Sequence, residues 1–211
     1  MIDPEKVTNY KQTKEQLEEF LLFWICAAGK NGRTAARCLD KFLVVTGGYE
    51  IGPFISILGW IASAKAQGMP DHFYIAKFMK DSGIGCFNIK SKAFGELAAS
   101  KLNLKTCTVT DLESIYGIGP KTARCFLLHS RKDAQVAGLD THMLKYLREM
   151  GYNDIPKSTP TGKKYLTNEK RVLSLAKEAG MTPASFDLMV WNKYSVKRKL
   201  VKDSRGLHGR L

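Results

Sequence analysis

Apolar residues recur along this chain at the three- and four-residue spacing of helices, and the strict alternation of a half-buried strand is almost absent. Leu17, Phe20, Leu21, Trp24, Ile25 and Ala28 fall on one face of a first helix, and Thr13 with Gln16 has the form of a capping box at its start. A second helix is predicted from about Arg33 to Val45. A third runs from Pro53 to Lys65, entered by Gly52 and Pro53, with Phe54, Ile57, Leu58 and Ile61 inward. Pro70 to Lys80 reads as a shorter fourth, and a fifth from about Lys90 to Leu102 carries Ala93, Phe94, Leu97 and Ala98. Thr110 with Glu113 suggests another capping box, opening a short helix that ends at Gly117. The next helix spans Lys121 to about Ser130. Asp140 stands where an N-cap would introduce Met143, Leu144 and Leu147 as an apolar face closed by Gly151. Asn153 to Lys164, with two prolines and a glycine, reads as a variable surface loop. Two further helices follow, Asn168 to Ala179 and Pro183 to Tyr194. The predicted class is all-α.

Composition narrows the setting. At 211 residues and 44% hydrophobic, the chain supports one well-buried domain or two small interleaved ones, which excludes disorder. Lys and Arg number 33 against 20 Asp and Glu, a net +13 that favours a polyanionic partner, although a basic balance alone also fits a membrane surface. The most apolar run, Phe20 to Ala28, is far shorter than the roughly 20 residues that span a bilayer. The N-terminus also lacks the order of a secretory signal, so an intracellular setting without a membrane is expected. Cys26, Cys38, Cys86, Cys107 and Cys125 make an odd set with no CxxC pair and no His at zinc-finger spacing, so neither a disulfide framework nor a metal site is predicted. Most read as small buried hydrophobes.

The chemistry concentrates between Leu112 and Tyr146. Gly117-Ile118-Gly119 breaks one helical pattern, Pro120 opens the next where its missing N–H costs least, and Lys121 follows at once. A tight Gly-x-Gly turn before a helix N-terminus exposes backbone N–H groups and lets a phosphate approach closely. Glycines between helices also serve as plain packing turns, and Lys121 read alone is a surface lysine. Asp140, nineteen residues after Lys121, is either a helix cap or a carboxylate able to take a proton or stabilise developing positive charge.

GIGPKTA at 117–123 and LDTHM at 139–143 together resemble the helix-hairpin-helix, Gly/Pro-rich, Asp-containing superfamily of base-excision DNA glycosylases. The likeness is to its lysine-bearing branch, which includes endonuclease III and 8-oxoguanine DNA glycosylases. The resemblance implies two helical lobes with a DNA-binding cleft between them: a barrel lobe over 30–132 carrying the hairpin at about 111–131, and a second lobe of 1–29 with 133–195. It implies a bifunctional glycosylase and lyase acting on double-stranded DNA as a monomer in the cytoplasm or nucleoid. Lys121 would attack C1′ of the damaged nucleotide, giving a Schiff base from which β-elimination nicks the strand. Asp140 would orient or deprotonate that lysine and stabilise the sugar cation. The target base would be flipped out of the stack.

The same likeness assigns further positions. Gly117 and Gly119 match the hairpin that holds backbone phosphate, in some members through a bound monovalent cation, and His142 matches the Asp-x-His element on the phosphate side. Cys125 corresponds to a cysteine lining the base pocket in 8-oxoguanine glycosylases, though a small Cys on a buried face needs no functional reason. Lys30 and Asn31 fall near the residue that fills the gap left by the flipped base. Phe87, within GCFNIKSKA at 85–93, is a candidate wedge against the opposite base or else core. Trp191 is a stacking platform only if its helix closes the pocket; packing is the plainer role. No Cys follows Cys125, so the four-cysteine iron–sulfur cluster of endonuclease III is not expected.

The base itself stays open: 8-oxoguanine, an oxidised pyrimidine or a specialised hypermodified base. A noncatalytic module that uses the hairpin for phosphate alone remains an alternative. The basic end at 196–211, with Lys197, Arg198, Lys199, Lys202, Arg205 and Arg210, reads either as a flexible phosphate-seeking arm or as a solvated tail.

Overall fold

The computed structural model describes residues 1–206, with side chains as far as Ser195. The basic end thus lies outside the described residues, save for the backbone of α11 as far as Gly206. The described residues form eleven helices and no strand, the predicted all-α class. They divide into two compact units, Met1–Lys132 and Asp133–Leu211.

In the first unit, α1 (Lys14–Ala27) is the central helix. Thr13 caps it through the predicted box with Gln16. Leu21 and Leu22 are fully buried and Phe23 and Ile25 nearly so, because α2 (Gly32–Thr46), α4 (Pro53–Ala66), α6 (Phe87–Ala99) and α8 (Pro120–Ser130) all pack on it. Burying each such side chain contributes about 1.5–3 kcal/mol. The family resemblance groups residues 1–29 with 133–195, whereas in the structure they belong to the first unit. A helix apolar on nearly every face needs neighbours on every side, and α1 finds them within Met1–Lys132.

Around it stand the short α3 (Gly48–Ile51), α5 (Phe73–Asp81) and α7 (Val109–Glu113). α3 was not predicted: Gly47, left-handed at φ 74°, ends α2 and restarts the chain as one further turn. The capping box of α7 is Thr108 with Asp111, two residues before the expected Thr110 and Glu113. Thr108 is the residue with extended backbone, which a cap requires and a residue inside the helix lacks.

The second unit packs α9 (Thr141–Glu149), α10 (Gly162–Glu178) and α11 (Pro183–Gly206) around Leu139, Leu144, Leu147, Tyr165, Val172 and Phe186. α10 begins at Gly162 rather than Asn168, which shortens the preceding loop. That loop is also anchored: Ile155 is buried in the core, and the Thr159 hydroxyl donates to the Leu139 carbonyl at 2.9 Å.

Candidate functional site

Lys121 is the second residue of α8, behind Gly119 as N-cap and Pro120 at the first position. Gly117 lies at φ +80°, and a Cβ placed there would meet Ala93 Cβ at 3.2 Å and Ile89 Cγ2 at 3.3 Å. The turn is therefore pressed on the start of α6. Gly119 has ordinary extended backbone with no neighbour within 4 Å of a Cβ placed there. One glycine makes the turn possible and the other keeps its outer side bare.

The Lys121 ammonium stands over the Trp24 indole, 4.9 Å from the ring centroid. Trp24 stacks on His129 with centroids 5.7 Å apart and planes 13° from parallel. His129 is fully buried, and its Nδ1 lies 2.8 Å from the Thr8 hydroxyl. Lys121, Cys125 and His129 occupy successive turns of α8, the four-residue spacing that aligns side chains along one stripe. Cys125 is buried. An ammonium over a partly desolvated indole is held by the ring quadrupole, so α1 and α8 place the amine between them.

Three helices begin at this end of the first unit. α2 starts just after α1 ends, and Asn31 caps it by accepting from the N–H groups of Arg33 and Thr34. α6 starts beside the end of α1, where the buried Lys90 ammonium donates to the Cys26 carbonyl at 2.9 Å and the Ala28 carbonyl at 3.1 Å. α8 starts beside α6 through the Gly117 contact. Their N-termini bring partial positive charge to one surface, which favours anions. Lys30 reaches across to the Gly83 carbonyl at 2.5 Å, and its chain lies against Gly85. This brings Lys30 and Asn31 to the turn that leads into Phe87, the first residue of α6 and half-buried. Ile89 and Tyr116, each 50% exposed, flank the hairpin turn at Gly117.

In the second unit Asp140 is the N-cap of α9, accepting the Met143 N–H at 2.8 Å. The approach to it is pinned. Tyr165 Oη donates to the Ala137 carbonyl at 2.9 Å and accepts from the Leu139 N–H at 3.1 Å, and Glu169 accepts from the Ala137 N–H at 3.0 Å. His142 stacks on Tyr194, centroids 5.6 Å apart and planes 8° from parallel. The Tyr194 hydroxyl donates to Glu149 at 2.7 Å, and burial followed by that carboxylate pushes its pKa up. Trp191 is half-buried on α11. The predicted residues thus gather in two places: Lys121, Cys125, Gly117, Gly119, Lys30, Asn31 and Phe87 in the first unit, Asp140, His142 and Trp191 in the second.

Trp24, on the apolar face of α1, and His129 and Lys90 were not among the candidate site residues of the sequence. The stripe Lys121–Cys125–His129 was a visible signal for the histidine. Lys90 was not legible, because its partners are backbone carbonyls that 62 and 64 residues separate from it.

No family model matches the chain. Its fold is similar to that of the 8-oxoguanine DNA glycosylase of Thermotoga maritima, with a TM-score of 0.66 and 22% identity over 90% of this chain and 86% of that one. It is also similar to the Methanocaldococcus jannaschii 8-oxoguanine glycosylase/lyase, solved with a 15-mer DNA containing 8-oxoguanine: TM-score 0.66, 21% identity, covering 88% of this chain and 83% of the other.

Proposed function

We propose, from that likeness of fold and from the chemistry at the start of α8, that this chain is a DNA glycosylase and lyase that excises an oxidised base, 8-oxoguanine foremost. The observation that carries the reading is a lysine amine at the second position of a helix that follows a glycine hairpin, held over an indole face. The hairpin N–H groups and the clustered helix starts would grip the backbone phosphates, leaving the amine beside the sugar.

Lys121, unprotonated, attacks C1′ as the bond to the damaged base breaks, and the base leaves with the bonding electrons and takes up a proton. The amine loses its proton as the sugar ring opens, giving an iminium between Nζ and C1′. Loss of a proton from C2′ then expels the 3′ phosphate by β-elimination, and water releases the aldehyde end from the lysine. Asp140 serves as the acid/base partner and steadies the cationic sugar. The pinned segment 137–139 supports this role, because it fixes where the cap side chain begins. Cys125 would line the base pocket, His142 would attend the phosphate, and Lys30, Asn31 and Phe87 would fill the gap in the duplex. A monovalent cation, where one binds, would sit on hairpin carbonyls and serve the phosphate grip. The chain would work as a monomer on DNA in the cytoplasm or nucleoid, without an iron–sulfur cluster.

Borohydride present during reaction with duplexes bearing 8-oxoguanine, an oxidised pyrimidine or an abasic site reduces the iminium to a stable amine. A covalent protein–DNA adduct is expected with the wild type and none with Lys121→Gln, while Asp140→Asn slows base release by about 10²-fold or more, the range of a lost acid/base group. Failure to trap on every substrate, or equal trapping by Lys121→Gln, would overturn the reading and favour a noncatalytic phosphate-binding module.

A further inference from the structure

We propose that the first unit carries, at the end of α1 and α6 remote from the hairpin, a docking groove for an acidic amphipathic helix of a partner protein. The groove is a cavity of about 600 Å³ whose walls include Leu17, Phe54, Leu97 and Leu102. Two lining side chains on α4 also face solvent, Ile55 at 61% exposure and Leu58 at 40%. They stand at i and i+3 of α4, the spacing of one helical stripe. Single exposed leucines are ordinary, but an exposed aliphatic pair on the lip of an apolar cavity marks an interaction surface.

The rim is basic. Lys14, Lys101 and Lys105 line the opening, and the one lining carboxylate, Glu18, is 4% exposed. Glu18 is already committed, accepting the Phe54 N–H at 3.1 Å with the Lys14 ammonium at 3.9 Å. Lys101 has a left-handed backbone at φ 56° directly after the end of α6. Glycine takes that conformation after α2, α9 and α10, at Gly47, Gly151 and Gly180. At the groove a lysine adopts it instead, against its steric preference.

These features select the occupant. A duplex or free phosphate would use the lysines and gain nothing from the apolar floor. A small anionic amphiphile would fill the cavity and leave the outward faces of Ile55 and Leu58 bare. A helix with aliphatic side chains along one face and carboxylates on its flanks uses both. The position permits binding at the same time as DNA. α1 and α6 run antiparallel: Lys90 touches the end of α1, while Leu97 and Ala98 meet the cavity that Lys14 and Leu17 line. Lys14 and Trp24 are therefore separated by about 15 Å of helix.

The test is fluorescence anisotropy of a labelled synthetic peptide of about four helical turns, leucine on one face and glutamate on its flanks, titrated with the intact protein. Saturable binding is expected, unchanged by saturating undamaged duplex. It should weaken at least about tenfold in Leu58→Glu and in the double variant Lys101→Glu/Lys105→Glu, each with unaltered circular dichroism. Absence of saturable binding, equal binding of a peptide with its leucines dispersed, or full affinity in both variants would overturn the proposal. Competition by duplex would do so too, making the groove a DNA contact. So would groove-dependent binding to phosphatidylglycerol vesicles without peptide binding, which points to a membrane surface. The readout needs no base excision, so it stands apart from the outcome at Lys121.

Discussion

Gly117 and Gly119 look interchangeable in GIGPK, yet the fold asks different things of them. At φ +80° with Ala93 and Ile89 within 3.3 Å of an added Cβ, Gly117 has neither the conformation nor the room for alanine. Gly117→Ala should lower stability by about 1–3 kcal/mol in urea unfolding. Gly119→Ala meets neither obstacle and should stay within about 0.5 kcal/mol of the wild type while binding duplex less tightly, since the new methyl stands where a phosphate would approach the N–H groups. If instead both variants bind duplex normally, the hairpin is a packing turn. The glycines, the lysine and the aspartate cap were legible because each owes its place to local backbone chemistry. The Trp24–His129 pair was not, since stacking joins residues 105 positions apart and leaves no periodic trace.

Elements were read well where their own sequence sets the boundary. Thr13 with Gln16 opens α1 as expected, and Asp140 caps α9. Boundaries moved where a tertiary partner decided them. α6 begins at Phe87 rather than near Lys90 because Cys86, left-handed at φ 55°, turns the chain into the helix one step after Gly85. Lys90 then falls inside, where its ammonium donates to the Cys26 and Ala28 carbonyls at the end of α1. Desolvation holds the Lys90 pKa below its usual range. With the folded value depressed, the folded state releases its proton first as pH rises, so this residue adds stability as pH climbs toward the ordinary lysine range. Lys90→Met keeps the stem but strands the buried Cys26 carbonyl and the part-buried Ala28 carbonyl, and a loss of about 1–3 kcal/mol is expected at neutral pH, together with loss of that alkaline gain. A variant as stable as the wild type would show that water replaces the ammonium without cost.

For the whole molecule, the +13 charge was the broadest clue in the sequence, and the structure gives it local meaning through the helix starts around Lys30, Phe87 and Lys121. Duplex affinity should fall linearly on logarithmic axes as salt rises, with a slope near −0.9 for each phosphate neutralised. Lys121→Gln should reduce that slope by about one at most. A flat response would mean that the basic excess serves solubility. GIGPKTA and LDTHM, which the resemblance joins as one motif, lie on either side of the boundary after Lys132, so their side chains belong to different compact units. The chain has three tryptophans, Trp24 and Trp60 in the first unit and Trp191 in the second. Trp24 touches both the ammonium and an imidazole, groups that quench indole emission according to their charge. The protein thus carries its own chromophore at the amine, and covalent change at Lys121 becomes visible as light from a residue that needs no label.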